Sequence, residues 1–134
     1  MNAEEYEERL EGLIEMVVDL YGIIGKLFGL LPIPISLPAL WDDDRDEGPD
    51  VATLIGALTR ARAMLMDLPL DPRLTALLNL AVVEWLGAFD MCALADANRT
   101  SPEADAYRLE VIWLATGRIT SLTELARDQL HLDL

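Results

Sequence analysis

The apolar residues in the first quarter of the chain recur at alternating intervals of four and three positions. The series consists of Tyr6, Leu10, Leu13, Val17, Leu20, Ile24, Leu27 and Leu31. This spacing places all of these side chains on one side of an α-helix. The opposite side carries solvated charges, namely Glu8, Glu11, Glu15, Asp19 and Lys26. The pattern predicts an amphipathic helix over about residues 2–30, and other segments must cover its apolar side.

Capping residues and prolines divide the rest of the chain into three more predicted helices. Each helix starts at a side chain that can accept a backbone N–H, twice followed by proline at the first helical position: Asp50, Asp71-Pro72 and Ser101-Pro102. The predicted spans are about residues 51–68, 72–97 and 102–130. Because short turns join these three helices, each is expected to run antiparallel to the next.

Residues 32–50 are predicted to form an irregular crossover between the first and second helices. Pro32, Pro34 and Pro38 interrupt regular hydrogen bonding there. The segment is also too apolar to extend into solvent, so it should lie across the helices with Trp41 packed inside.

The 134 residues therefore predict one all-α domain, a four-helix up-down bundle with one long Pro-rich crossover. Gly22, Gly25 and Gly29 indicate close approach of another helix backbone to helix 1.

Helices 3 and 4 are apolar on more than one side, which is typical of central helices or of helices at interfaces. We assign the inner side to Leu74, Leu78, Ala81, Trp85, Phe89 and Cys92 on helix 3, and to Tyr107, Val111, Leu114, Leu122 and Leu125 on helix 4. The remaining apolar residues predict a homodimer interface made of Leu80, Val83, Met91, Leu94, Leu109, Ile112, Trp113 and Ile119. The alternative is that the Pro-rich crossover covers these residues.

Charged residues interrupt the apolar sides of helices 2 to 4. In a pair of antiparallel helices, the residue numbers of two facing positions always add up to about the same value. The residue numbers of Glu84 and Arg118 add up to nearly the same value as those of Asp96 and Arg108. Both pairs therefore fit one register, and we interpret them as ion pairs that fix helix alignment. The alternative is an internal ligand-binding cluster made of Arg62, Glu84, Trp85, Asp96, Arg108 and Arg118.

Few residues are suited to metal or catalytic chemistry. Asp42, Asp44 and Asp46 alternate as in a calcium-binding loop, but the glycine and the glutamate that such a loop requires are misplaced. We interpret this segment as a solvated acidic loop, and these three residues are the candidates for loose metal binding. His131 is the one histidine, and Cys92 is assigned to packing. We predict no catalytic residues, no metal site and no cofactor.

Composition narrows the classes of partner. The chain is 52% hydrophobic and 25% charged with a net charge of −14, which predicts a packed core beneath an acidic surface. Such a surface repels nucleic acid and anionic membranes and favours a basic partner. A single cysteine, an acidic N-terminus and proline-broken apolar runs favour the cytoplasm over export or membrane insertion.

These patterns favour a small acidic interaction protein of the immunity, antitoxin, inhibitor or adaptor type. It would bind another, basic protein and work as a homodimer. The alternative is a small-molecule-binding protein or small enzyme that uses the internal Arg/Glu cluster. No motif in the sequence requires an enzyme.

Overall fold

The computed structural model describes residues 1–40 and 51–133, and within them the chain forms four α-helices and no β-strand. The helices are α1 (Ala3–Gly29), α2 (Val51–Met66), α3 (Pro72–Ala97) and α4 (Pro102–Asp133). The predicted all-α four-helix bundle is confirmed. The predicted positions of Trp41, the cap Asp50 and the aspartates Asp42, Asp44 and Asp46 lie outside the described residues.

Side-chain caps mark the starts of three of the helices, and two of these caps, Asp71 and Ser101, were predicted from the sequence. A side-chain oxygen accepts a first-turn backbone N–H at 2.8 Å in Asn2, at 2.8 Å in Asp71 and at 3.2 Å in Ser101. Pro72 and Pro102 each occupy the position after the cap, where the missing N–H has no cost. These contacts satisfy backbone donors that would otherwise have no partner in the helix.

Helix α3 is the centre of the bundle and packs against α1, α2 and α4. The α2 helix packs on α3, and among residues 1–40 and 51–133 its backbone does not closely approach α1 or α4. At the middle of α3, Trp85 is fully buried and its Nε1–H donates to the Val17 carbonyl at 2.8 Å. Its ring centroid lies 4.7 Å from that of Tyr21 and 5.1 Å from that of Phe89. The predicted inner side of α3 is confirmed.

The predicted apolar side of α1 is also confirmed, since its whole series is buried. The described part of the crossover is held against it. Tyr21 Oη donates to the Pro38 carbonyl, and Ile35 N donates to the Phe28 carbonyl at 3.1 Å. The side chains of Ile35 and Leu40 are buried, as expected for an apolar crossover.

The expectation for the α1 glycines is wrong. A Cβ placed at Gly22, Gly25 or Gly29 would have no neighbouring heavy atom within 4 Å outside the helix's own nearby backbone. Among the helices that the structure describes, none therefore approaches this flank closely. The helix packs through its large apolar side chains instead.

The prediction for α4 assigned its inner side to the wrong stripe. Leu109, Ile112 and Ile119 are fully buried, whereas Tyr107 is 64% exposed and Leu114 is 52% exposed. The buried stripe also holds small or hydroxylated residues, namely Ala115, Thr116, Thr123 and Ala126. These let α4 lie close to its neighbours, and the threonine hydroxyls donate to carbonyls of α4 itself. The other stripe contains Arg118 at its centre, and an uncompensated buried guanidinium would destabilise the fold.

The hydropathy of α3 is high because both the core side and the opposite side are apolar. In the described part of the chain, α3 is the one helix long and apolar enough to cross a membrane, with a mean hydropathy of 1.6. A core helix can have the same composition, and 33% of this apolar stretch is buried in the bundle.

Candidate functional site

Folding leaves an apolar surface on the side of α3 and α4 that faces away from α1. We call it the outer face and define it as Leu80, Val83, Met91 and Leu94 of α3 with Tyr107, Val111, Leu114, Leu122 and Leu125 of α4. Met91, Val111 and Leu122 are half-buried, and the other side chains are exposed. A group of exposed apolar side chains on one side of a folded chain is typical of a binding site.

The outer face contains part of the interface predicted from the sequence. The predicted α3 half, from Leu80 to Leu94, lies on this surface. The predicted α4 half does not, because Leu109, Ile112 and Ile119 are buried inside the single chain. Trp113 is exposed on another side of α4, next to Arg9 of α1.

One ion pair lies midway along the outer face. Arg118 Nη2 is 3.0 Å from Glu84 Oε2, and Arg118 Nε donates to the same oxygen at 3.1 Å. This is one of the two predicted register pairs. The same register places Leu80 level with Leu122 and Met91 level with Val111, so the outer face continues on both sides of the pair. An open groove of ≈ 510 Å³ runs beside it, between Leu80 and Leu122.

The second predicted register pair does not form. Arg108 Nη1 donates to the Asn98 carbonyl at 2.5 Å, next to the turn between α3 and α4. Asp96 is exposed and borders an apolar cleft with Ile14 and Val18 of α1. The reason is helical phase, because Asp96 follows Trp85 by three turns and so lies on the side of α3 that faces α1.

The six residues of the alternative ligand-binding cluster are not brought together. Arg62 Nε donates to Asn79 Oδ1 at 2.6 Å, between α2 and α3. Asn79 and Glu84 lie far apart around the circumference of α3, because five positions turn the helix by roughly 140°. Trp85 is in the core, and Asp96 and Arg108 are separated as described above.

A buried carboxylate at the α3–α4 turn was not predicted from the sequence. Asp105 is 5% exposed, with Oδ2 3.1 Å from Arg99 Nε and Oδ1 accepting the Thr100 N–H at 3.2 Å. Arg108 Nη1 lies 4.0 Å from Oδ1. Burial acts to raise the pKa of Asp105, but the Thr100 N–H and the two guanidinium groups outweigh it and lower the pKa.

The same turn holds the start of α1. The Arg99 guanidinium lies 3.7 Å above the centre of the Tyr6 ring, and Tyr6 Oη donates to the Ala95 carbonyl at 2.8 Å. Burial raises the pKa of Tyr6, so the hydroxyl remains a donor at neutral pH. The signal in the sequence was the spacing of Asp105 and Arg108, which are neighbours on one side of a helix.

Thiol and metal chemistry have little support in the described residues. Burial raises the pKa of Cys92 to about 11, so its thiol is protonated at neutral pH and packs as an apolar group. Within residues 1–40 and 51–133, no group of three or more His, Cys, Asp or Glu side chains could hold a metal ion.

Comparison with known proteins gives no assignment. No protein-family model, no curated protein and no solved structure matches this chain.

Proposed function

We propose that this chain is a non-enzymatic interaction protein of the immunity, antitoxin, inhibitor or adaptor type. It is a small acidic bundle that forms a homodimer in the cytoplasm and binds a basic partner protein. The observation that supports this proposal is the outer face, an apolar surface that remains exposed when the core is complete. The fully buried core of a protein interface is more apolar than the rest of a protein surface.

The charge of the chain supports a basic partner. The net charge is −14, and α1 exposes a dense set of carboxylates: Glu4, Glu5, Glu7, Glu8, Glu11, Glu15 and Asp19. We call these residues the acidic side of α1. Because α1 packs on the core side of α3 and α4, its acidic side points away from the outer face. The acidic side therefore stays accessible when the outer face is covered, and it would attract and orient a basic surface.

The proposed partner can be identified by affinity capture from the native cell lysate, followed by mass spectrometry across a salt series. We expect a stoichiometric basic protein that dissociates as salt rises. The triple variant Glu8→Gln/Glu11→Gln/Glu15→Gln should weaken its binding by on the order of tenfold, given about 0.5 kcal/mol per exposed charge.

A matched control changes the net charge equally at another place. The triple variant Glu103→Gln/Glu110→Gln/Glu124→Gln removes three exposed carboxylates from α4 and should bind the partner as the wild type does. Equal losses in both triple variants would show that overall charge, not the acidic side of α1, attracts the partner. Absence of any stoichiometric protein would contradict partner binding.

A further inference from the structure

We propose that the outer face is covered by a second copy of this chain, related to the first by a twofold axis parallel to α3 and α4. In this dimer, Glu84 of each subunit pairs with Arg118 of the partner subunit. The inference rests on the homodimer in the proposed function and specifies its geometry.

Charge complementarity selects the direction of the axis. When two identical surfaces meet face to face, the twofold axis lies in the interface, either across the helices or along them. An axis across the helices at the level of the ion pair sets Glu84 against Glu84 and Arg118 against Arg118. Like charges brought together at an interface cost several kcal/mol. An axis across the helices at another level would bury these charges against apolar residues, which is also unfavourable.

An axis along the helices avoids both costs. A rotation about this axis leaves the position of each residue along the helices unchanged. Therefore α3 of one subunit lies on α4 of the other, and Glu84 meets the partner's Arg118. The apolar residues on either side of the ion pair, Leu80 with Leu122 and Met91 with Val111, likewise lie against the same apolar residues of the second copy. The resulting four helices are each antiparallel to both neighbours, as in an up-down bundle.

Both side chains of the ion pair are accessible to a second copy of the chain. The side chain of Arg118 is 53% exposed and that of Glu84 is 33% exposed. In the described part of the chain, both contacts of Arg118 with Glu84 reach Oε2, which leaves Oε1 open to another donor. Gly87 and Gly117 lie near the pair, and outside the helix's own nearby backbone a Cβ at either would meet no heavy atom of the described residues within 4 Å. A second pair of helices can therefore approach closely.

The size of the outer face is sufficient for a reversible dimer. From Tyr107 to Leu125 the stripe is roughly 27 Å long, and two adjacent helices are about 20 Å wide. This gives about 500 Å² per subunit, close to the roughly 1,000 Å² in total that a specific interface needs. We therefore expect association that depends on concentration.

Charge-reversal variants test the exchange of partners between subunits. Glu84→Arg alone and Arg118→Glu alone each bring like charges together, so each should self-associate at least about tenfold more weakly than the wild type. When the two variants are mixed, opposite charges face each other again across the interface. Native mass spectrometry should then show mixed dimers well above their statistical share. The double variant Glu84→Arg/Arg118→Glu should also regain self-association.

The control is Glu15→Arg on α1, which should leave self-association unchanged. Mixed dimers at only the statistical share would overturn the exchange of Glu84 and Arg118 between subunits. A wild type that stays monomeric at high concentration would overturn the dimer altogether. Neither result bears on the capture of a basic partner by α1, so failure of this inference and failure of partner binding can be told apart.

Discussion

At the scale of single residues, Asp105 shows how a charge is kept inside this fold. Its carboxylate accepts the Thr100 N–H and contacts Arg99, and Arg99 in turn lies on the Tyr6 ring. The group thus connects the first turn of α4 to the start of α1. Because its pKa in the folded state is lowered from 3.8, ionised Asp105 stabilises the fold.

This stabilisation has a definite dependence on pH. It is fully present above the ordinary carboxyl pKa and is lost as pH falls through the lower pKa of the folded state. We therefore expect Asp105→Asn to lower the melting temperature at neutral pH, with the difference from wild type shrinking as the solution is made acidic. Thermal unfolding followed by circular dichroism measures both. Glu110→Gln, at an exposed carboxylate of the same helix, is the control and should show little difference at any pH.

At the scale of elements, the two stripes of α4 have different roles. The stripe of Leu109, Ile112 and Ile119 completes the core, and the stripe interrupted by Arg118 remains on the surface. Truncating Ile112 to alanine removes buried contacts and should lower the free energy of unfolding by about 2–5 kcal/mol. Leu114→Ala removes exposed surface and should change it by less than about 0.5 kcal/mol. Urea unfolding in dilute solution measures both, and equal losses would contradict the observed orientation of α4.

The sequence predicted some elements better than others for a physical reason. On α1 a single regular apolar stripe faces a single charged side, so the buried side was unambiguous. On α4 both stripes are apolar, and the deciding features were the small volumes of Ala115 and Ala126 and the charge of Arg118. Hydrophobic periodicity contains no information on side-chain volume, so it could not show which of the two apolar stripes of α4 is buried.

The contacts between the charged residues were predicted only in part. The register of α3 and α4 follows from their short connection, which is why the Glu84–Arg118 pair was found. The predicted pairing of Asp96 with Arg108 was wrong. The sum of two residue numbers indicates whether the residues lie at the same height along the helices, but not whether their side chains point towards each other. The contacts of Asp105 depend on Arg99 in the turn, whose conformation has no periodic signal.

At the scale of the whole molecule, the central position of α3 accounts for its composition. One side of α3 completes a core shared with α1, α2 and α4, and its other side forms half of the outer face. The acidic side of α1 lies opposite. The fold thus separates the apolar surface that we propose for self-association from the charged surface that we propose for a basic partner.

Burial of the outer face between two copies of the chain in solution can be tested directly by sedimentation equilibrium over a range of concentrations. The samples are the wild type, Leu80→Glu on the outer face and Met64→Glu on α2. Leu80 and Met64 are similarly exposed in the single chain, at 49% and 54%. We predict that wild type and Met64→Glu approach twice the chain mass as concentration rises, while Leu80→Glu stays at the mass of one chain. A wild type that keeps the mass of one chain throughout, or a Leu80→Glu variant that associates as the wild type does, would show that the outer face is not a dimer interface.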